Sequence, residues 1–153
     1  MTENEKLQEI WKSYEDEHDH LAVGTAEVVR WAVSKGLMEL PKIDPYEIAS
    51  QKMSRALREE YATDEHGRRY RVNHAIKVSI NGVQTTIWGI LGHAPRKHME
   101  TAFAQRREQI IGDCFHLKTD VDVYNDLNPT EQPIQLGLDF TEDVAEREVM
   151  LVS

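Results

Sequence analysis

Cysteine is almost missing from this chain: Cys114 is the only one in 153 residues. That excludes an internal disulfide framework and fits a reducing compartment. It also removes the thiolate-rich zinc sites, which need two to four cysteines. Long apolar runs are missing too. Nothing approaches the 18 residues of a membrane-spanning helix, and the acidic start "MTENEKLQEI" lacks the apolar stretch of a secretory signal. The expected location is therefore cytoplasmic, with no membrane partner. Catalytic signatures are equally scarce: GxSxG, the P-loop and GxGxxG do not occur. "GILG" at 89–92 lacks the lysine and serine of a phosphate loop. No pair of carboxylates is framed by apolar residues that could separate two pKa values. No catalytic residue and no cofactor site follow, and an enzyme is not the expected class.

Seven histidines are present, but not at ligand spacing. In "EDEHDH", His18 and His20 stand two apart and point to different sides of a helix; Cys114 and His116 diverge in the same way. Neither pair is read as a metal site. Cys114 falls on an apolar seam and reads as a small packing residue.

What the chain does have is charge sorted by position. The formal net charge is −9, yet residues 52–107 carry 11 basic and 5 acidic side chains, a balance of +6. Residues 1–51 carry 5 basic and 11 acidic, and residues 108–153 carry 2 basic and 11 acidic. Such sorting supports a local positive field inside an acidic protein. Its alternative is neutralisation of the middle by the ends.

The elements follow from spacing. "TENE" has capping-box form, with Thr2 and Glu5 in the reciprocal positions. Leu7, Ile10, Trp11 and Tyr14 then recur at helical spacing, which predicts a helix over 3–17. Thr25 is the expected cap of a second helix, "AEVVRWAVSK", and Gly36 its stop. In "DPYE", Asp44, Pro45 and Glu47 occupy N-cap, N1 and N3 of a third helix. One side of it carries Ala49, Met53, Ala56 and Leu57, and the opposite side Gln51, Ser54, Arg55 and Arg58.

After the turn "TDEHG", residues 68–92 alternate as a two-stranded ribbon. "NG" at 81–82 is the hairpin signal, because a type I′ turn needs positive φ at both central residues. It pairs Ile80 with Val83, Val78 with Thr85 and Ile76 with Ile87. On this apolar face His74 falls opposite Gly89, which leaves room for its ring. The other face carries Arg69, Arg71, Asn73 and Lys77 beside Gln84, Thr86 and Trp88.

From Pro95 a long helix is expected, with Met99, Phe103, Ile110, Cys114, Leu117, Val121 and Tyr124 on one seam and Pro129 beyond its end. Such a seam suits a partner helix, and a homo-oligomer through it is expected. A short strand, "IQLGLDF", and an acidic tail close the chain.

The fold class is thus α+β. An N-terminal three-helix unit with a β-hairpin spans 1–95, a long helix 96–128, and a C-terminal strand and tail 129–153. Three helices followed by a hairpin resemble, as a pattern over residues 3–92, a winged helix-turn-helix. The connector at 37–43 is longer than the tight turn of the simple motif. The resemblance implies a small DNA-binding regulator or accessory protein whose third helix enters the major groove while the ribbon touches the backbone. Gln51, Ser54, Arg55 and Arg58 would then read bases or phosphates, and Arg68, Arg69, Arg71 and Lys77 would hold phosphates.

A second expectation rests on "QLGLDF". It resembles the short peptide by which bacterial replication and repair proteins dock on the sliding clamp. That implies partner contacts through Gln135, Leu136, Leu138 and Phe140, alternate apolar side chains entering a groove. The alternative function is accordingly a protein–protein adaptor without nucleic acid. Ile134, Leu136, Leu138 and Phe140 also read as one face of an edge strand.

Overall fold

The computed structural model describes residues 1–20 and 22–151. The fold is mixed α+β, with helices first, then β-hairpins, then one long helix. By contacts the chain divides into Met1–Ile48 and Ala49–Ser153.

The first unit is a helix pair. Helix α1, Glu3–Glu17, starts on the expected capping box: the Thr2 hydroxyl accepts from Glu5 N and the Glu5 carboxylate accepts from Thr2 N. Helix α2 is Thr25–Ser34, and here Gly24 rather than Thr25 is the N-cap, without a side-chain bond. Tyr14, Val28 and Ala32 are buried between the two helices. The His18 ring stacks on Tyr14 at 3.8 Å and donates from Nδ1 to the Tyr14 carbonyl at 2.7 Å. Trp31 meets Tyr14 edge-on at 5.3 Å. Gly36 has φ +71°, as a left-handed helix stop requires.

Helix α3, Pro45–Glu59, begins where proline at N1 places it, and Asp44 Oδ1 accepts from Tyr46 N at 3.0 Å. It has no buried residue, and Met53 is 62% exposed. The side that carries Ala49, Met53, Ala56 and Leu57 is therefore not a core face. From Ala49 onward the helix belongs to the second unit, where the Leu57 carbonyl in its last turn accepts from Asn73 Nδ2.

There, two hairpins follow. Strand β1, Tyr61–Thr63, pairs with β2, Arg69–Arg71. Asp64 closes the turn between them, its carboxylate accepting from His66 N, Arg68 N and Arg68 Nε. The Arg68 amide bond leads in holding the Asp64 carboxyl below its ordinary pKa. Strand β3, Asn73–Ile80, pairs with β4, Val83–Ile90, in the register the alternation predicts. Asn81 (φ +50°) and Gly82 (φ +78°) form the expected turn.

The ribbon of 68–92 is nevertheless not one hairpin. Val72 ends one ladder and begins the next: its N–H donates to Glu60 O at 3.1 Å, and its carbonyl accepts from Leu91 N at 2.9 Å. Arg69 and Arg71 consequently lie on the β1–β2 hairpin and not on the face of β3–β4.

Helix α4, Arg96–Leu127, has 32 residues and a length of about 48 Å. Its first turns pack on β3. The space at Gly89 is filled by Ala94 and His98, not by the His74 ring: a Cβ on Gly89 would lie 2.8 Å from Ala94 Cβ and from His98 Nε2. The His74 ring instead meets Phe103 edge-on at 5.5 Å and bonds the Arg71 carbonyl.

The expected C-terminal strand is absent: residues 132–140 pair with no strand, and a lone strand cannot hold itself. The tail is a helix instead, α5, Thr141–Met150. Asp139 Oδ1 accepts from Thr141 N and Oγ1, and Glu142 and Asp143 suit the positive end of the helix dipole.

Candidate nucleic-acid interface

The site is assembled by two carboxamides. Asn73, 8% exposed at the start of β3, donates from Nδ2 to Leu57 O at 3.1 Å and to Glu60 Oε1 at 2.8 Å. That ties the end of α3 to the hairpin. Gln105 on α4 accepts from Lys77 N at 2.8 Å and donates to Lys77 O at 2.9 Å. In an antiparallel pair, alternate residues turn their backbone groups away from the partner strand. Lys77 is such a residue, and Gln105 fills the free edge as a peptide group would. Ala102, one turn earlier and 4% exposed, is small enough to let α4 close on β3.

These ties create a recess of about 200 Å³ between the last turn of α3, the hairpin face and α4. Arg58, Arg71, Lys77 and Arg106 line it, with Thr86, Trp88 and Gln109. No carboxylate does. Among the described residues none of the four cations forms an ion pair, whereas Arg68, Arg96 and Lys118 each hold a carboxylate at 2.7 Å or less. The Arg58 guanidinium lies over the Trp88 ring, 5.4 Å from its centroid, a cation–π contact. Guanidinium and ammonium groups around one concavity give it a positive local field and donors for anionic oxygens.

A second recess, of about 560 Å³, adjoins the first. Leu57, Ile87, Ile90, Ala94, Pro95 and His98 are among its walls, and Asn73 and Trp88 line both. The indole thus stands between a cationic space and a mainly apolar one.

Of the eight residues expected to hold nucleic acid, Arg58, Arg71 and Lys77 come together. Arg68 is spent on Asp64 at 2.7 Å, and the Arg69 guanidinium lies 4.2 Å from the Tyr61 ring centroid. Gln51, Ser54 and Arg55 lie earlier on α3 and do not line the recess. Sequence reasoning missed Arg106, Gln105 and Gln109, and did not assign Trp88 a role. The signal for the helical ones was present: Ala102, Gln105, Arg106 and Gln109 recur at i, i+3, i+4 and i+7, a small and polar stripe beside the apolar seam.

Residues 135–140 run without regular structure, and Leu136 and Phe140 are exposed. The segment is pinned just before its start, where the Asn125 amide accepts from Ile134 N at 2.9 Å and donates to Ile134 O at 3.0 Å. Gly137 and Phe140 line one open recess with Asp143, Val144 and Arg147 of α5. Among the described residues no three His, Cys, Asp or Glu side chains gather as a metal-ligand group, and no helix is long and apolar enough to cross a membrane. Neither a family model, nor a curated protein, nor a solved structure matches this chain.

Proposed function

We propose that this protein binds nucleic acid, as a small DNA-binding regulator or accessory factor, through the recess between α3, the β3–β4 hairpin and α4. One observation carries the reading: four cations from four different elements line one concavity, with no carboxylate in its lining and no ion-pair partner among the described residues. In an acidic chain such an arrangement costs stability through mutual repulsion, which a polyanion would relieve. The contact set is Arg58, Arg71, Lys77 and Arg106; Gln51, Ser54 and Arg55 would extend it along α3. A cytoplasmic location goes with this reading. The test is binding of labelled DNA by wild type and by the Arg58→Ala, Arg71→Ala, Arg106→Ala variant, with loss of binding expected in the variant.

The same reading includes self-association through α4. Phe103, Ile110, Leu117 and Tyr124 are exposed along its seam, an apolar stripe that a second copy would cover. Sedimentation velocity at micromolar concentrations is expected to show a dimer, and Ile110→Glu with Leu117→Glu a monomer. Wild type sedimenting as a monomer throughout would dispose of the dimer.

A second reading, an adaptor docking on a sliding-clamp-like protein, is favoured by the exposed Leu136 and Phe140 in a segment free of regular structure. A pull-down from nuclease-treated lysate is then expected to recover a partner that deletion of residues 133–153 releases. Recovery unchanged by the deletion removes this reading.

A further inference from the structure

We infer that the site takes single-stranded rather than duplex nucleic acid, one unpaired base packing beside Trp88 while the neighbouring phosphates lie across the four cations. The inference rests on the nucleic-acid reading and names the substrate class of that same site.

Three observations point this way. First, the cations line a recess and do not crown a projecting helix. A major-groove reader presents the N-terminal residues of its helix. Here the cation that α3 contributes, Arg58, stands in its last turn and is laid over Trp88.

Second, the indole divides two unlike spaces. A nucleotide has the same duality, an anionic phosphate joined to a flat, largely apolar base. In a duplex the bases are stacked inward and only phosphates and groove edges are offered; in a single strand each base has a free π-face. A cationic track combined with an aromatic platform is the general means of holding a single strand.

Third, the second space has the volume of a ligand site, about 560 Å³, and is walled mainly by Leu57, Ile87, Ile90, Ala94 and Pro95, with His93 and His98 but no lysine or arginine for a phosphate. A purely phosphate-binding surface has no use for it. Ala94 keeps that wall low, since its side chain is only a methyl group.

The experiment is fluorescence anisotropy on the full chain at 50 mM salt, with a labelled mixed-sequence 12-mer as single-stranded DNA, as single-stranded RNA and as DNA duplex, and with a labelled mononucleotide. Both single strands are expected to bind at least about 10-fold more tightly than the duplex and the mononucleotide. Trp88→Ala is expected to weaken single-strand binding about 10-fold or more, and Trp88→Phe, which keeps a platform, to stay within about 3-fold of wild type. The strand comparison on wild type does not depend on how the variants fold. Duplex binding equal to or tighter than single-strand binding overturns this inference and leaves the nucleic-acid reading standing. Mononucleotide binding as tight as the 12-mers overturns the assignment to a strand. Absence of binding to any of them overturns both.

Discussion

The triple variant Arg58→Ala, Arg71→Ala, Arg106→Ala is expected to lose at least about 100-fold in affinity for nucleic acid at low salt, with its fold retained. Each phosphate neutralised releases counterions, so the logarithm of affinity falls with the logarithm of salt by about 0.7 per contact on a single strand and about 0.9 on a duplex. Four contacts give a slope of about −2.8 on a single strand, a loss of about 50-fold between 50 and 200 mM salt. With Lys77 alone left in the recess, the slope falls to about −0.7 and the same salt step costs about 3-fold. Slope therefore reports the number of cations engaged independently of absolute affinity. None of the three arginines holds a carboxylate among the described residues, so truncation breaks no ion pair of the folded chain. Arg58 gives up one ring contact. A variant that binds as wild type does, with an unchanged salt slope, would end the nucleic-acid reading.

Gly89→Ala is expected to destabilise the second unit by about 1–3 kcal/mol, the usual range for forcing a methyl group into a filled space. Its added carbon would lie 2.8 Å from Ala94 Cβ and 2.8 Å from His98 Nε2. Neither neighbour can yield easily. Ala94 is held by its N–H bond to Ile90 O at 2.8 Å, and the His98 ring is held by its Nε2 contact with His74 O at 2.8 Å. Either α4 retreats from β3 or that histidine bond is lost. Retreat would also slacken the Gln105 clamp on Lys77, so binding should weaken along with stability. Urea unfolding followed by circular dichroism gives the first effect and anisotropy the second. Gly92→Ala, which meets nothing within 4 Å, is the matched control, expected within about 0.5 kcal/mol of wild type. Equal unfolding midpoints for the two variants would show that the close approach at Gly89 is not a constraint.

The elements most legible from spacing were those whose signals are local. The capping box at Thr2 and Glu5, the proline start of α3, the Asn81–Gly82 turn with its register and the 96–127 helix all stand where adjacent residues place them. Each depends on side chains within a few positions of the backbone they satisfy. The errors came where a remote partner intervenes. Alternation continued from Arg69 to Ile80 as though one strand ran through, but Glu60 and Leu91 take the two backbone groups of Val72 and divide it. "IQLGLDF" alternates as well as β4 does, yet it pairs with no strand among the described residues.

The candidate site divides along the same line. That residues 52–107 concentrate cations is a property of composition, readable without a fold. Which of those cations share a space is not, because it depends on what each guanidinium meets: Asp64 for Arg68, the Tyr61 ring for Arg69 and an open recess for Arg71. Arg106, 35 positions further along, enters only because Gln105 hooks α4 to the free edge of β3. Helices, turns and strand pairing across a two-residue loop arise from short-range sterics and hydrogen bonding, and these the chain order alone determined. Ion-pair partners and concave surfaces depend on groups far apart in that order, and only packing in three dimensions could decide them.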